Sequence, residues 1–138
     1  MVTQLALTLE HDDWANSGQA TFSFSLDPQL MYFQGHFPQY QILPAVAQLK
    51  LLMDALHQLE PKLQFKGAPA IKFTSILRPN DQVRLKLSLN RATMKLRFTF
   101  YLVGPEEQVT SSGTIALAYK PAATEPQSVA QPSLEVAP

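Results

Sequence analysis

Among the side chains of this chain that exchange protons near neutral pH, one sits where chemistry has a use for it. His36 lies in Tyr32-Phe33-Gln34-Gly35-His36-Phe37-Pro38, an aromatic loop constrained by Gly35 and Pro38. Imidazole titrates near neutrality, so it can take up and return a proton there. Beyond the loop, Pro44-Ala45-Val46 opens a helical pattern. The first amides of a helix have no intrahelical acceptor and sit at the positive end of its dipole, which suits a developing oxyanion. A base beside an oxyanion donor is what proton removal next to a carbonyl requires. A hydrogen-bonded loop histidine with no chemistry fits the bare residues too, and spacing alone leaves both readings open.

The other candidates are weaker. His11, beside Asp12 and Asp13, reads as a solvated turn. His57 falls at the edge of a helical apolar stripe and reads as packing. Three histidines this far apart do not make a metal-ligand spacing, so no metal is expected. Cysteine is absent, which excludes disulfide scaffolds, thiolate metal sites and thiol nucleophiles. No nucleophile elbow, P-loop or dinucleotide fingerprint occurs, and no cofactor is expected.

The elements that must position His36 follow from periodicity. Leu5, Leu7 and Leu9 alternate with polar neighbours as in a half-buried strand, and His11-Asp12-Asp13 and Asn16-Ser17-Gly18 read as turns. Phe22, Phe24 and Leu26 mark a second strand that Asp27-Pro28 stops. A helix is expected from about Pro44 to Leu59, with proline in its first turn. Its apolar stripe would be Val46, Leu49, Leu52, Met53, Leu56 and Leu59. Four strands follow: Ala70 to Leu77, Val83 to Leu89, Met94 to Leu102 and Val109 to Tyr119, the last with Ile115, Leu117 and Tyr119 on one face. Turns at Arg78-Pro-Asn-Asp81, Asn90-Arg91-Ala92 and Gly104-Pro-Glu-Glu107 separate them. One long helix and about six antiparallel strands make an α+β fold with the sheet curled round the helix.

A chain of 138 residues, 46% hydrophobic and 16% charged, is one globular domain rather than a disordered chain. The domain is expected over 1–120. Residues 121–138 hold four prolines, two acids, no base and no aromatic, and read as a flexible tail. No apolar run is long enough to span a bilayer, and the N-terminus lacks the basic and apolar regions of a signal peptide, so a cytoplasmic protein is expected. Net charge is zero but uneven: residues 1–60 hold six acids and one base, residues 61–100 nine bases and one acid. That asymmetry reads either as solvated strand faces or as a field for an acidic partner. Without a recognition-helix pattern or an RNA-binding signature, nucleic acid is not an expected partner.

Gly35-His36-Phe37-Pro38, then Ile42-Leu43-Pro44, then an apolar helix resembles the hot-dog-fold 3-hydroxyacyl-acyl-carrier-protein dehydratases. The run Pro44-Ala45-Val46-Ala47-Gln48-Leu49 brings it nearest the dehydratase-like branch of aryl polyene synthesis. The likeness is sharp over residues 32–50 and looser over 66–81, where Ile71-Lys72-Phe73 and Leu77-Arg78-Pro79-Asn80-Asp81 stand where the family has a strand and turn.

The resemblance implies a mechanism residue by residue. His36 matches the catalytic histidine that takes the C2 proton of a 3-hydroxyacyl thioester. The amide of Ala45 matches the helix-start donor to the thioester carbonyl. The acyl tail would lie along Phe33, Gly35, Phe37, Ile42, Leu43 and Pro44. The implied partners are an acyl carrier protein, docked with help from the basic second half, and another hot-dog subunit in a homodimer or heterodimer. The sequence departs from the family at Lys50, which occupies the place of the carboxylic acid that protonates the departing hydroxyl. Three readings stand side by side. Lys50 acts on the hydroxyl itself, a different subunit supplies the carboxylate, or the chain no longer dehydrates and binds acyl thioesters or supports a partner. Asp54, one turn on, is expected to salt-bridge Lys50, with a displaced acid as the alternative. Gln48 points to another helix face and suits a bond to a loop carbonyl. A thioesterase is a third function class, set aside by the Gly-His-Phe-Pro pattern.

Overall fold

Strict alternation in the second half of the chain dictates the centre of a sheet. In a computed structural model, which describes residues 2–34 and 41–121, β4 (Gln82–Asn90) buries Val83, Leu85, Leu87 and Leu89, and β5 (Lys95–Leu102) buries Leu96, Phe98 and Phe100. They pair antiparallel in unbroken register from Val83↔Leu102 to Asn90↔Lys95. β2 (Gln19–Ser25) joins β4 and turns Ala20, Phe22 and Phe24 inward, while β6 (Gln108–Tyr119) joins β5. β1 (Thr8–Asp13) and β3 (Leu63–Phe73) complete the six-stranded sheet, whose order is β1-β2-β4-β5-β6-β3. All five pairings are antiparallel.

The one long helix among the described residues, α2 (Ala45–Leu59), lays Leu51, Leu52, Ala55 and Leu56 into the same hydrophobic cluster as the inward strand residues. Phe24 and Phe98 both meet Phe100 edge-on, with ring centroids 6.5 and 5.9 Å away. This is the expected α+β hot-dog architecture. No helix among the described residues is long and apolar enough to cross a membrane. The expected tail lies, from residue 122 on, outside the described residues.

Departures from the sequence reading concentrate at the sheet edges. His11-Asp12-Asp13 is strand, not turn: β1 pairs β2 from Thr8↔Ser23 to Asp13↔Gln19. Leu5 and Leu7 pack against the core from an extended segment outside the strand. Asn16 and Ser17 belong to a single helical turn, α1 (Trp14–Ser17), that buries Trp14. Gly18 ends it at φ +72°, where a Cβ would stand 2.5 Å from the Leu89 carbonyl oxygen. β3 begins seven residues before the expected Ala70 and stops at Phe73, and it is mostly exposed because it lies at an edge. The helix stripe is rotated: Val46 is 74% exposed, while Ala47 and Gln48 face inward. Pro44 is the N-cap rather than a member of the first turn. Tyr119 is exposed although Ile115 and Leu117 are buried.

The end of the fold nearest the C-terminus of α2 is closed by one carboxylate. Glu60 accepts from Trp14 Nε1 at 2.7 Å, Arg91 Nη2 at 2.8 Å and Tyr119 Oη at 2.8 Å, and Arg91 lies over the Trp14 ring. Burial pushes the Glu60 pKa up, but the bonds from Arg91, Tyr119 and Trp14 outweigh it and hold it below the usual 4.5. A lowered folded-state pKa adds stability above the unfolded-state value that is lost as pH falls through the folded one. Glu60→Gln should therefore lower unfolding free energy at pH 7 by about 1–2 kcal/mol. Urea melts should show the wild-type and variant stabilities converging below about pH 4.

Candidate functional site

The site is built where the chain enters α2. Pro44 caps the helix with extended angles (φ −64°, ψ 157°) and offers no side-chain acceptor to the first turn. The amides of Ala45, Val46 and Ala47 therefore lack both an intrahelical acceptor and a side-chain cap. Pro44 and Ala45 are exposed, so this positive helix end is open to a ligand.

The lead-in to the helix is fixed on both sides. The Leu43 amide donates to the Leu77 carbonyl at 2.8 Å, and the residues preceding these two, Ile42 and Ile76, are both exposed. Gln48 is buried, and its Nε2 donates back to the Leu43 carbonyl at 3.3 Å. Its Oε1 accepts from the buried Ser111 Oγ of β6 at 2.8 Å. The expected bond from Gln48 to a loop carbonyl is thus present, and its carboxamide ties the helix entrance to the sheet. Before the helix, Gln41 Nε2 donates to the Phe33 carbonyl at 3.2 Å, clasping the two ends of the intervening stretch.

The sequence-predicted residues divide accordingly. Gly35, His36 and Phe37 lie outside the described residues. Phe33, at the end of a 3-10 turn (Met31–Phe33), and Leu43 are buried. Ile42, Pro44 and Ala45 are exposed around the helix entrance. Lys50 stands apart: it is exposed and bound to Asp54 at 2.6 Å, the expected salt bridge. That hydrogen bond, with the Asp54 charge, raises the Lys50 pKa, so the ammonium holds its proton more firmly than usual. His57 donates from Nε2 to the Leu63 carbonyl at 2.8 Å, a packing contact that joins helix and edge strand. The broadest open grooves described lie elsewhere, on the outer sheet face and beside the N-terminal segment.

Ser111 was missed by sequence reasoning. The signal existed: along β6 the inward positions 111, 113, 115 and 117 read Ser, Gly, Ile, Leu, and a small polar residue among apolar ones asks for a partner. Gly113 has a separate cause, since a Cβ there would stand 2.3 Å from the Ala70 carbonyl oxygen.

The profile of the ApeI-like dehydratases matches residues 10–114, most of the chain and all of the helix entrance. The chain belongs to the ApeI-like dehydratase family. Two relatives named 3-hydroxyacyl-[acyl-carrier-protein] dehydratase FabZ are similar to it. The one from Koribacter versatilis is 39% identical over 67 residues, 42% of this chain and 43% of that protein, so less than half of that relative is spanned. The one from Streptococcus equi subsp. zooepidemicus is 30% identical over 104 residues, 64% of this chain and 69% of that protein. Among solved structures, the dehydratase heterocomplex ApeI:P from Xenorhabdus doucetiae superposes with TM-score 0.68 at 30% identity, over 81% of this chain and 97% of that one. An uncharacterized protein from Erwinia carotovora subsp. atroseptica reaches 0.73 at 28%, over 86% and 98%. Membership in the ApeI-like family confirms the expected superfamily, branch and hot-dog fold.

Gln48→Leu should cost about 2–3 kcal/mol, because the Ser111 hydroxyl and the Leu43 carbonyl lose their partner in a buried setting. Adding Ser111→Ala to that variant should cost less than the same change in the wild type, as urea unfolding of the four proteins would measure.

Proposed function

We propose that this chain dehydrates 3-hydroxyacyl thioesters on an acyl carrier protein to trans-2-enoyl thioesters, as one hot-dog subunit of a homodimer or heterodimer. The observation that carries the reading is the open, uncapped start of α2 next to the Gln41–Phe33 clasp, in a member of a dehydratase family. His36, three residues beyond Phe33, takes the C2 proton. The Ala45 amide holds the thioester carbonyl as negative charge develops on its oxygen. The C3–O bond then breaks, and the hydroxyl leaves as water once protonated. The acyl chain runs along Phe33, Gly35, Phe37, Ile42, Leu43 and Pro44. The reading needs no cofactor or metal and places the reaction in the cytoplasm.

The state of Lys50 bears on which group supplies the acid. A lysine whose pKa is raised by an ion pair gives up its proton less readily, so Lys50 suits the acid's role poorly. A carboxylate from a second hot-dog subunit fits better, and the heterocomplex formed by the Xenorhabdus doucetiae relative supports a two-chain site. The exposed Lys50–Asp54 pair also favours a second reading, a non-catalytic subunit that binds acyl thioesters or supports a catalytic partner.

Incubation with 3-hydroxyacyl carrier protein, alone and with each hot-dog chain encoded nearby, decides between them. Enoyl product is expected in at least one mixture, and His36→Ala should lower its rate by about 100-fold or more. Product in no mixture overturns the enzyme reading.

Lys50→Glu is the companion test, read as turnover by the chain alone. Restored turnover would identify a site lacking only its acid, whereas a loss of existing turnover would assign Lys50 a role of its own.

A further inference from the structure

The outer face of the sheet gathers cations and hydroxyls that the helix entrance does not use. Strand register sets Gln19, Ser88, Arg97 and Thr114 side by side across β2, β4, β5 and β6. Their chain neighbours Leu87, Phe98 and Ile115 are buried, so this row points away from the core. Lys95 lies two residues from Arg97 along β5, and Lys86 two residues from Ser88 along β4, both on the same face. With strands about 4.8 Å apart and alternate residues about 6.8 Å apart, the backbone positions of Lys95, Arg97 and Lys86 fall within about 15 Å.

A groove of about 620 Å³ runs over Ser88, Lys95, Arg97 and Thr114, bordered by the α1–β2 turn and the β4–β5 hairpin. That volume is in the range of small-molecule sites. A smaller groove of about 230 Å³ shares Ser88 and Arg97 and continues to Lys86 and Thr99. Among the described residues no acid lines either groove, and Lys86, Lys95 and Arg97 form no ion pair. The charges close by are already taken: Glu60 holds Arg91, and Asn16 and Ser17 hold Asp13. None of the exposed large hydrophobic side chains described lines either groove, so a membrane would find no apolar anchor here. Lys86 covers the Tyr101 ring at 4.9 Å, which removes the aromatic platform that single-stranded nucleic acid would stack on.

We propose that this outer groove binds an oligophosphate chain, either free or carried by a nucleotide, with Arg97, Ser88 and Thr114 on one phosphoryl group and Lys95 and Lys86 on its neighbours. A planar guanidinium with a hydroxyl directly across on each side suits a phosphoryl group, whose several oxygens accept from more than one donor at once. Lysine supplies a compact charge on a long stem, so Lys95 and Lys86 serve the groups on either side without a fixed geometry. The groove is separate from the helix entrance. That entrance is tied to the sheet at Ser111, which pairs with the core-facing Phe100, three residues along β5 from Arg97 and on the opposite face. The inference therefore stands apart from the dehydration reading.

The test is isothermal titration calorimetry of the full chain at low salt, without divalent cations, using sodium tripolyphosphate, orthophosphate, pentaglutamate and ATP. Tripolyphosphate should bind one to one, at least about tenfold more tightly than orthophosphate or pentaglutamate. ATP no tighter than tripolyphosphate assigns the groove to the free chain, and ATP about tenfold tighter assigns it to a nucleotide. Lys95→Gln/Arg97→Gln should weaken tripolyphosphate about tenfold. Lys62→Gln/Lys66→Gln removes the same charge at the far edge of the sheet and should leave affinity within about twofold. Equal losses in the two variants overturn the proposal, because net charge alone would then account for binding. Pentaglutamate binding as tightly as tripolyphosphate overturns it too, in favour of an acidic protein surface, as does tripolyphosphate binding no tighter than orthophosphate. The ligand comparison uses the wild-type chain, so it decides even where a variant fails to fold, which circular dichroism would show.

Discussion

A single buried carboxamide holds the entrance of the long helix. Gln48 is fastened to the Leu43 carbonyl on one side and the Ser111 hydroxyl on the other, so the turn before α2 is tied to β6 deep in the fold. Everything proposed for the site depends on that constraint. The first-turn amides are useful to a carbonyl only if they are held still, since preorganised donors owe their effect to needing no rearrangement as charge develops. Proline at the N-cap contributes by leaving those amides without a competing side-chain acceptor.

The family and the fold point to dehydration, while Lys50 points to an incomplete site within one chain. These fit together if the subunit contributes the base and the carbonyl donor, and another subunit contributes the acid.

Legibility in the sequence follows burial and flanking. β2, β4 and β5 were readable because each has a strand on both sides and a core beneath, so every second residue must be apolar. β1 and β3 were misplaced because edge strands are held by one backbone ladder, which needs no particular side chain. His11 and Asp12 could join such a ladder, and the more regular Leu5 and Leu7 did not. The helix was legible but its face was not: small inward residues such as Ala47 and Ala55 do not stand out against an exposed Val46. At the site, the resemblance over residues 32–50 located the helix entrance. It did not reveal Ser111, because a serine in a strand ordinarily faces solvent.

The central claim is that the amide of Ala45 receives the carbonyl of an acyl-pantetheine substrate. It is tested most directly by nuclear magnetic resonance of the 15N-labelled protein, in its assembled state, titrated with a non-reactive 3-hydroxyacyl pantetheine amide. The account predicts a saturable downfield shift of the Ala45 amide proton, as a new hydrogen bond to the ligand carbonyl forms. An Ala45 resonance that stays in place while the ligand binds and shifts signals elsewhere would contradict it.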